Sequence, residues 1–364
     1  MPVNEQALAL AASINKKAGD NAVVLASEIV PPPRFTSGSL ALDLTLGGGF
    51  PGNQWTEVIG RESHGKTAIV QKTIAANQRR DPDFVTVWVA AEHFDSEQAQ
   101  RLGIDLDRVI VVPTQDMEYA YDTMLKFAES RSVDAIVLDS YPALIAGEEA
   151  NKSMEDLVVA LGARLTGKFC RKAGRASKRA MNGEEKPLLG IIINQYREKI
   201  GGFSPHGPAL TTPGGNAKNY FYWTRLEVRR DEWIDEARPG KGTIRVGQTI
   251  KAKTIKNKGA SPHQIATLTY FFRDAPVLGF AAGDYDTVKE IVAMGILFDV
   301  ITGAGGWFSA EGHRWHGKEA MATALRSEPE LQQLLTDAIL ARAAAQSFRA
   351  AGREAAEVEH LAAA

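Results

Sequence analysis

Between residues 54 and 195, short and almost continuously apolar runs alternate with stretches of helical periodicity. This alternation restricts the fold more than any other feature. The runs are "QWTEVIG" (54–60), "FVTVWVAAE" (84–92), "RVIVV" (108–112), "VDAIVLDS" (133–140) and "PLLGIIINQ" (187–195). A strand that is apolar on both faces needs cover on both faces, which predicts a mostly parallel sheet with helices above and below. In such a sheet, ligands bind in the crevice outside the carboxyl ends of the strands.

The chain has 364 residues, 44% apolar and 24% charged, enough for one large α/β domain with smaller lobes. No apolar run is long enough to cross a bilayer. The N-terminus has neither a basic start nor a small-residue cleavage site, so no signal peptide is expected. Cys170 is the only cysteine, which excludes a disulfide framework and a multi-cysteine zinc site and accords with a reducing cytoplasm. A net charge of −2 argues against a polycationic coat but leaves room for a local basic patch.

The first run leads into Gly60-Arg61-Glu62-Ser63-His64-Gly65-Lys66-Thr67, and a helical pattern starting at Lys66 and Ala68 follows. Strand before and helix after is the setting a phosphate-binding P-loop requires. The two glycines let backbone N–H groups turn inward around the phosphates. Lys66 would reach the β- and γ-phosphates, the Thr67 hydroxyl would coordinate Mg²⁺, and the helix dipole adds to the field. Asp139, ending "VDAIVLDS", is the acidic strand end expected to hold the Mg²⁺ shell. Glu92 ends the strand after the P-loop helix; it admits a role in orienting water or a plain solvated strand end. Asn194 and Gln195 end a further strand on that edge, either sensing a γ-phosphate or pairing with backbone.

Outside this alternation the pattern changes. Residues 5–17 form an amphipathic helix, and "AVVLAS" reads as a lone strand cut off by the prolines from Pro31. Such a strand pads its own core or joins another subunit's sheet. "FYWTRLEVRR", "GTIRVGQTIKAKTIKNK" and "QIATLTYFFR" alternate more and look antiparallel. Tyr220–Trp223 could be taken for a base-stacking platform, but strand alternation favours packing. Residues from about 276 to 345 look like a small α-rich lobe, and 346–364 like a flexible tail. Two polar, glycine-rich stretches, 146–156 and 197–217, follow strand ends. The second is long enough to be functional or disordered. The helix after the first carries Arg164, Lys168, Arg171, Lys172, Arg175, Lys178 and Arg179 with no acidic residue between, a track suited to phosphate contacts. Gly214, Gly215 and Asn216 offer backbone N–H groups, and Phe203 is a candidate wedge beside bases.

"TSGSLALDLTLGGGFPGNQW", "GRESHGKT", "VAAEHFD", "VDAIVLDS", "INQYREKIG", "TTPGGNA" and "KTIKNK" occur in that order, with "AGGWFSAEG" in the last lobe. Together they strongly resemble the RecA recombinases of bacteria and their phages, from about residue 5 to 340. The resemblance implies a RecA-like P-loop NTPase core over 34–275 and an N-terminal polymerisation helix and strand over 1–33. It implies a DNA-dependent ATPase that forms a helical filament on ssDNA and catalyses homologous pairing and strand exchange with dsDNA. ATP and Mg²⁺ are the implied ligands. By position, Glu92 matches the residue that activates water, and Gln195 the γ-phosphate sensor. Lys256 and Lys258 match lysines that reach the neighbouring subunit's nucleotide, and Asp95 matches an adenine contact. Stretches 146–156 and 197–217 match the two DNA-binding loops. Arg164 and Arg171, with Arg197, Lys199, Phe203, Gly214, Gly215 and Asn216 in the second loop, are the expected DNA contacts. Single-strand-binding and mediator proteins are implied partners, in the cytoplasm of a bacterial cell or phage-infected host. The alternative is a RecA-like hexameric DNA motor without strand exchange.

Some positions depart from the family pattern. The usual stacking aromatic is replaced near Gln98. Arg61 and His64 stand where proline and serine are common, which makes His64 a candidate pH-sensitive group. Asn219 takes the usual lysine position after "GGN", with Lys218 one residue earlier.

Overall fold

The computed structural model describes residues 4–18, 22–147, 161–178, 185–198, 210–240 and 242–362, with the side chains of 18, 178, 198 and 347–362 excepted. Its centre is an eight-stranded sheet. In chain order the strands are β1 (Gln54–Gly60), β2 (Thr86–Ala90), β3 (Val109–Pro113), β4 (Ala135–Asp139), β5 (Leu189–Gln195), β6 (Thr224–Arg238), β7 (Gly242–Asn257) and β8 (Ile265–Phe271). Across the sheet the order is β8-β7-β6-β1-β5-β4-β2-β3. All neighbours from β6 to β3 are parallel, and β6-β7-β8 are antiparallel.

The apolar runs occupy the middle of this sheet because both faces are covered. Val58, Trp88, Val137, Ile191 and Ile193 pack into a core with Leu42, Ile69 and Ile74. Val87, Val89, Ile136, Leu138 and Ile192 point to the opposite core with Met124, Phe169 and Tyr222. Successive residues of one strand thus serve different cores, as a period of two demands. Each such side chain, fully buried, contributes about 1.5–3 kcal/mol. In chain order the first helices are α1 (Glu5–Ala18), α2 (Leu40–Leu46), α3 (Lys66–Arg80), α4 (Ser96–Arg101), α5 (Met117–Ser130) and α6 (Leu161–Lys178), of which α3, α5 and α6 lie on the faces of the sheet. α5 starts at Asp116, whose carboxylate accepts from the Tyr119 N–H at 2.7 Å, satisfying an orphan donor of the first turn.

Two expectations need correction. First, the lone strand "AVVLAS" is not a strand in the single chain: Ala26–Glu28 forms a 3-10 turn, and residues before it join no ladder. A strand exists only through a hydrogen-bonded neighbour, and among the described residues none pairs with it. Second, "FYWTRLEVRR" does not begin as a strand. Ala217–Phe221 is a short helix, and β6 starts at Thr224, where its first residues pair in parallel with β1 on one side and antiparallel with β7 on the other. The last lobe is α-rich as expected, with one small sheet. Thr302–Ala304, Trp307–Ala310 and His313–His316 form a three-stranded antiparallel sheet beside its helices, Thr287–Leu297, Lys318–Arg326 and Pro329–Ala362. That last helix continues through residue 346, where the sequence reading starts its tail.

The lobe has its own apolar core, including Ile291, Met321, Leu325, Leu335 and Ile339, and it packs on Leu40 and Leu44 of α2 (Leu40–Leu46). Glu290 ties the two polar surfaces together. Its carboxylate accepts from Ser39 Oγ at 2.7 Å and from the Ala41 N–H at 3.2 Å.

Candidate functional site

Strand register alone gathers the predicted residues at one edge. Gly60 ends β1 opposite Gln195, which ends β5. Ala90 ends β2 opposite Asp139, which ends β4. The N–H groups of Ala91 and Glu92 both donate to the Asp139 carbonyl, at 2.9 and 3.0 Å, so Glu92 is anchored just beyond its strand.

The loop between Gly60 and Lys66 is shaped by close approach. A Cβ on Gly60 would lie 2.3 Å from the Val228 carbonyl oxygen, so no other residue fits there. Gly65 has φ +94°, and a Cβ there would meet Ile250 at 2.6 Å; Ser63 also takes a positive φ. α3 opens directly on this turn, with the positive end of its dipole at the loop. Arg61, Glu62 and Ser63 are exposed, while Lys66 and Ala68 are buried. Lys66 Nζ donates to the Arg61 carbonyl at 2.8 Å, folding the ammonium back over the loop. Burial pushes the pKa of Lys66 down, against the pull of Asp139, Glu92 and Glu62.

Thr67 Oγ1 donates to Asp139 Oδ2 at 3.1 Å, bringing the two predicted Mg²⁺ ligands into contact. Burial, and after it the Glu92 charge, raise Asp139 to about 6, while Thr67 and Lys66 oppose the rise. Two carboxylates beside a hydroxyl, at a helix N-terminus with a buried lysine, form an oxygen donor set suited to a hard divalent cation and a polyanion. Ser140 Oγ donates to Glu92 Oε1, fixing one oxygen of that carboxylate.

His64 is partly buried beside this loop. Burial first, then the cations Arg230 and Lys66, push its pKa below the ordinary histidine value, against the Val228 carbonyl. Its titration therefore moves further to the acid side of neutrality. Asp95 N-caps helix Ser96–Arg101 by accepting from the Gln98 N–H at 2.9 Å. Lys256 is half-buried and Lys258 is exposed. Lys256 Nζ donates to the carbonyls of Asn219, at 2.6 Å, and of Tyr222, capping the end of the short helix. Burial and the neighbouring Lys258 lower its pKa to about 8. Lys258 lies over the Trp223 ring at 5.6 Å.

Of the expected DNA contacts, Lys199 and Phe203 lie outside the described residues, as does most of the stretch 146–156. Arg197 pairs with Thr211 in a two-residue antiparallel ladder, so the second stretch is not wholly irregular. The remaining contacts come together. Gly214 and Gly215 have φ +108° and +71°, and a Cβ on Gly215 would lie 3.0 Å from the Ala163 side chain. The turn Gly214–Asn216 therefore abuts the start of α6, one residue from Arg164. Arg164, Lys168, Arg171, Lys172 and Arg175 are exposed on that helix, while Phe169, Cys170, Ala173 and Ala176 are buried. Tyr220 is 82% exposed and Tyr222 buried, so the aromatic run is split between surface and core.

Sequence reasoning missed a buried cluster beneath the site: Glu57 of β1 with Lys218, Arg225 and Asn194. The signal was a glutamate inside an otherwise apolar strand, which has to be paired.

Residues 5–275 match the family described as RecA N-terminal domain. The chain is 36% identical to Protein RecA of Thermus thermophilus over 95% of this chain and 96% of that protein. It is 35% identical to Protein RecA of Thermus aquaticus (91% and 92%) and 34% identical to Protein RecA of Paenarthrobacter aurescens (92% and 91%). Near-complete coverage by these relatives favours the recombinase over the hexameric motor. Family match, parallel core and P-loop agree: the chain belongs to the RecA family of recombinases, which are DNA-dependent ATPases.

Proposed function

We propose that ATP binds at the carboxyl edge of β1, β2, β4 and β5, with its triphosphate in the loop from Gly60 to Ala68 and its adenine near Asp95. The observation that carries this reading is the Thr67–Asp139 contact, which joins the P-loop to the acidic strand end. Thr67 and Asp139 would hold Mg²⁺, which when bound neutralises phosphate charge. Lys66 supplies a further cation to the β- and γ-phosphates. Glu92, with one oxygen committed to Ser140, uses the other to orient a water against the γ-phosphorus. Gln195, beside Gly60 in the register, senses the γ-phosphate.

On the DNA side, the exposed basic row of α6 and the Gly214–Asn216 turn form one surface for backbone contacts; Arg197, Lys199 and Phe203 are further proposed contacts. Binding without sequence preference suits pairing, where base pairs do the reading. Residues 1–33 act as a polymerisation arm, 34–275 as the ATPase core and 276–345 as the C-terminal lobe, whose last helix runs on to Ala362. Assembly through a heterologous contact that does not close gives an open filament, in which Lys256 and Lys258 turn toward the neighbour's nucleotide. Cytoplasmic action, in a bacterial cell or phage-infected host with single-strand-binding and mediator proteins, follows from this reading.

The test is Lys66→Ala, assayed for ATP turnover and for strand exchange. Both should fall by about a hundredfold or more. Undiminished ATPase would remove the phosphate assignment.

A further inference from the structure

Glu57 sits in the middle of β1, three residues before Gly60, and is 0% exposed. Its Oε1 accepts from Asn194 Nδ2 at 2.7 Å and from Lys218 Nζ at 3.1 Å, and its Oε2 from Arg225 Nε at 2.6 Å. Lys218 is itself 2% exposed. A lysine so deeply buried is costly unless paired, and burial lowers its pKa while Glu57 pulls it back up.

The partners come from four separate parts of the machinery. Thr212 Oγ1 accepts from Lys218 Nζ and, at 3.2 Å, from Arg225 Nη2. Asn194 also donates to the Pro213 carbonyl at 3.2 Å, and its Oδ1 accepts the Gln195 N–H at 2.9 Å. The Lys218 stem lies against the turn, since a Cβ on Gly214 would come within 2.9 Å of its Cδ. Thr212 and Pro213 enter the Gly214–Asn216 turn and Lys218 leaves it. Lys218 thus fastens one flank of the turn to the Glu57 carboxylate directly, and Thr212 and Pro213 fasten the other through Lys218, Arg225 and Asn194; the same carboxylate holds Asn194, the residue before Gln195.

We propose that Lys218 is a positioning residue that couples the DNA-facing turn to the nucleotide site through Glu57 and Asn194. The inference rests on the reading of Gln195 and Gly214–Asn216 given above. When DNA orders the turn, Lys218 and Thr212 fix Glu57, and Glu57 fixes Asn194 and the Gln195 backbone. Lys218 touches neither ATP nor DNA, so its removal changes their linkage and not either affinity alone. A buried ion cluster that costs stability is explained if it specifies one geometry.

The experiment compares wild type, Lys218→Met and Lys218→Gln. Each is assayed for ATP turnover with and without single-stranded DNA, for KM of ATP, and for thermal midpoint. In Lys218→Met, turnover without DNA and KM should stay within about twofold, while stimulation by DNA falls by about tenfold. Glu57 keeps Arg225 in both variants, so its charge stays paired and the midpoint should stay near wild type. Lys218→Gln, shorter and uncharged, should lose stimulation as Lys218→Met does. A merely structural lysine would instead lower the midpoint and turnover with and without DNA together. Full stimulation in Lys218→Met, or equal loss of turnover with and without DNA, would overturn the proposal. Should Lys218→Met fail to fold, Lys218→Gln gives the same reading. Wild-type turnover indifferent to DNA would instead strike the reading of the DNA-facing turn, so the two failures are distinguishable.

Discussion

At the scale of the residue, Glu92 shows how little freedom the site leaves. Its backbone hangs on the Asp139 carbonyl, and Ser140 holds one carboxylate oxygen. A glutamine at 92 keeps the shape and the Ser140 partner but is a far weaker base. Glu92→Gln should therefore lower turnover by roughly a hundredfold or more while ATP-dependent assembly on DNA survives. Steady-state ATPase and electron microscopy of the same preparation check this, and equal loss of both would make Glu92 structural. Lys66, Thr67, Asp139 and Glu92 were legible in the sequence because each ends or follows an apolar strand, and a parallel sheet brings strand ends to one edge. Lys218 was not legible. Its charge suggested surface, and only the partners Glu57 and Thr212, 161 and 6 residues away, explain its burial.

At the scale of the element, α6 separates its two roles by helical spacing. Arg164, Lys168, Arg171 and Arg175 recur at four- and three-residue steps on the exposed side, and Phe169, Cys170, Ala173 and Ala176 face the core. Removing charge from the exposed row should spare folding and weaken DNA binding through fewer released counterions. For single strands each phosphate contact contributes about 0.7 to the slope of log affinity against log salt. Arg164→Ala/Arg171→Ala should flatten that slope by about 1.4. Titrations of a labelled oligonucleotide at several salt concentrations measure it, and an unchanged slope would take α6 off the DNA path. The helix itself was readable from its charge pattern. The adjoining helix at Ala217–Phe221 was not, because Tyr220–Trp223 has a strand-like composition, and the Lys256 cap on the carbonyls of Asn219 and Tyr222 is a long-range contact.

At the scale of the whole molecule, the joint between the C-terminal lobe and the core is titratable. Burial raises the Glu290 carboxyl to about 7, while Ser39 and the Ala41 N–H pull it down and Asp43 and Asp286 push it up. Asp286 is itself paired with Arg326 at 2.7 Å. Glu290 Oε1 has no hydrogen-bond partner among the described residues, which a neutral carboxyl tolerates better than a carboxylate. In the unfolded chain the group ionises near its ordinary 4.5. Between that value and about 7 the folded protein binds the extra proton, so stability falls as pH rises through this window and levels off above it. The full effect is about 3 kcal/mol. Glutamine keeps the acceptor for Ser39 and Ala41 and never ionises. Glu290→Gln should therefore raise the unfolding free energy at pH 8 and flatten its pH dependence from 5 to 8, as measured by denaturant titration. Because the lobe sits on α2 through this residue, limited proteolysis should also find the wild-type lobe released more readily at pH 8 than at pH 5, and the variant indifferent. A wild-type curve that rises across this window would mean that Glu290 is ionised in the folded joint and that the lobe is held by its apolar contacts with Leu40 and Leu44 alone.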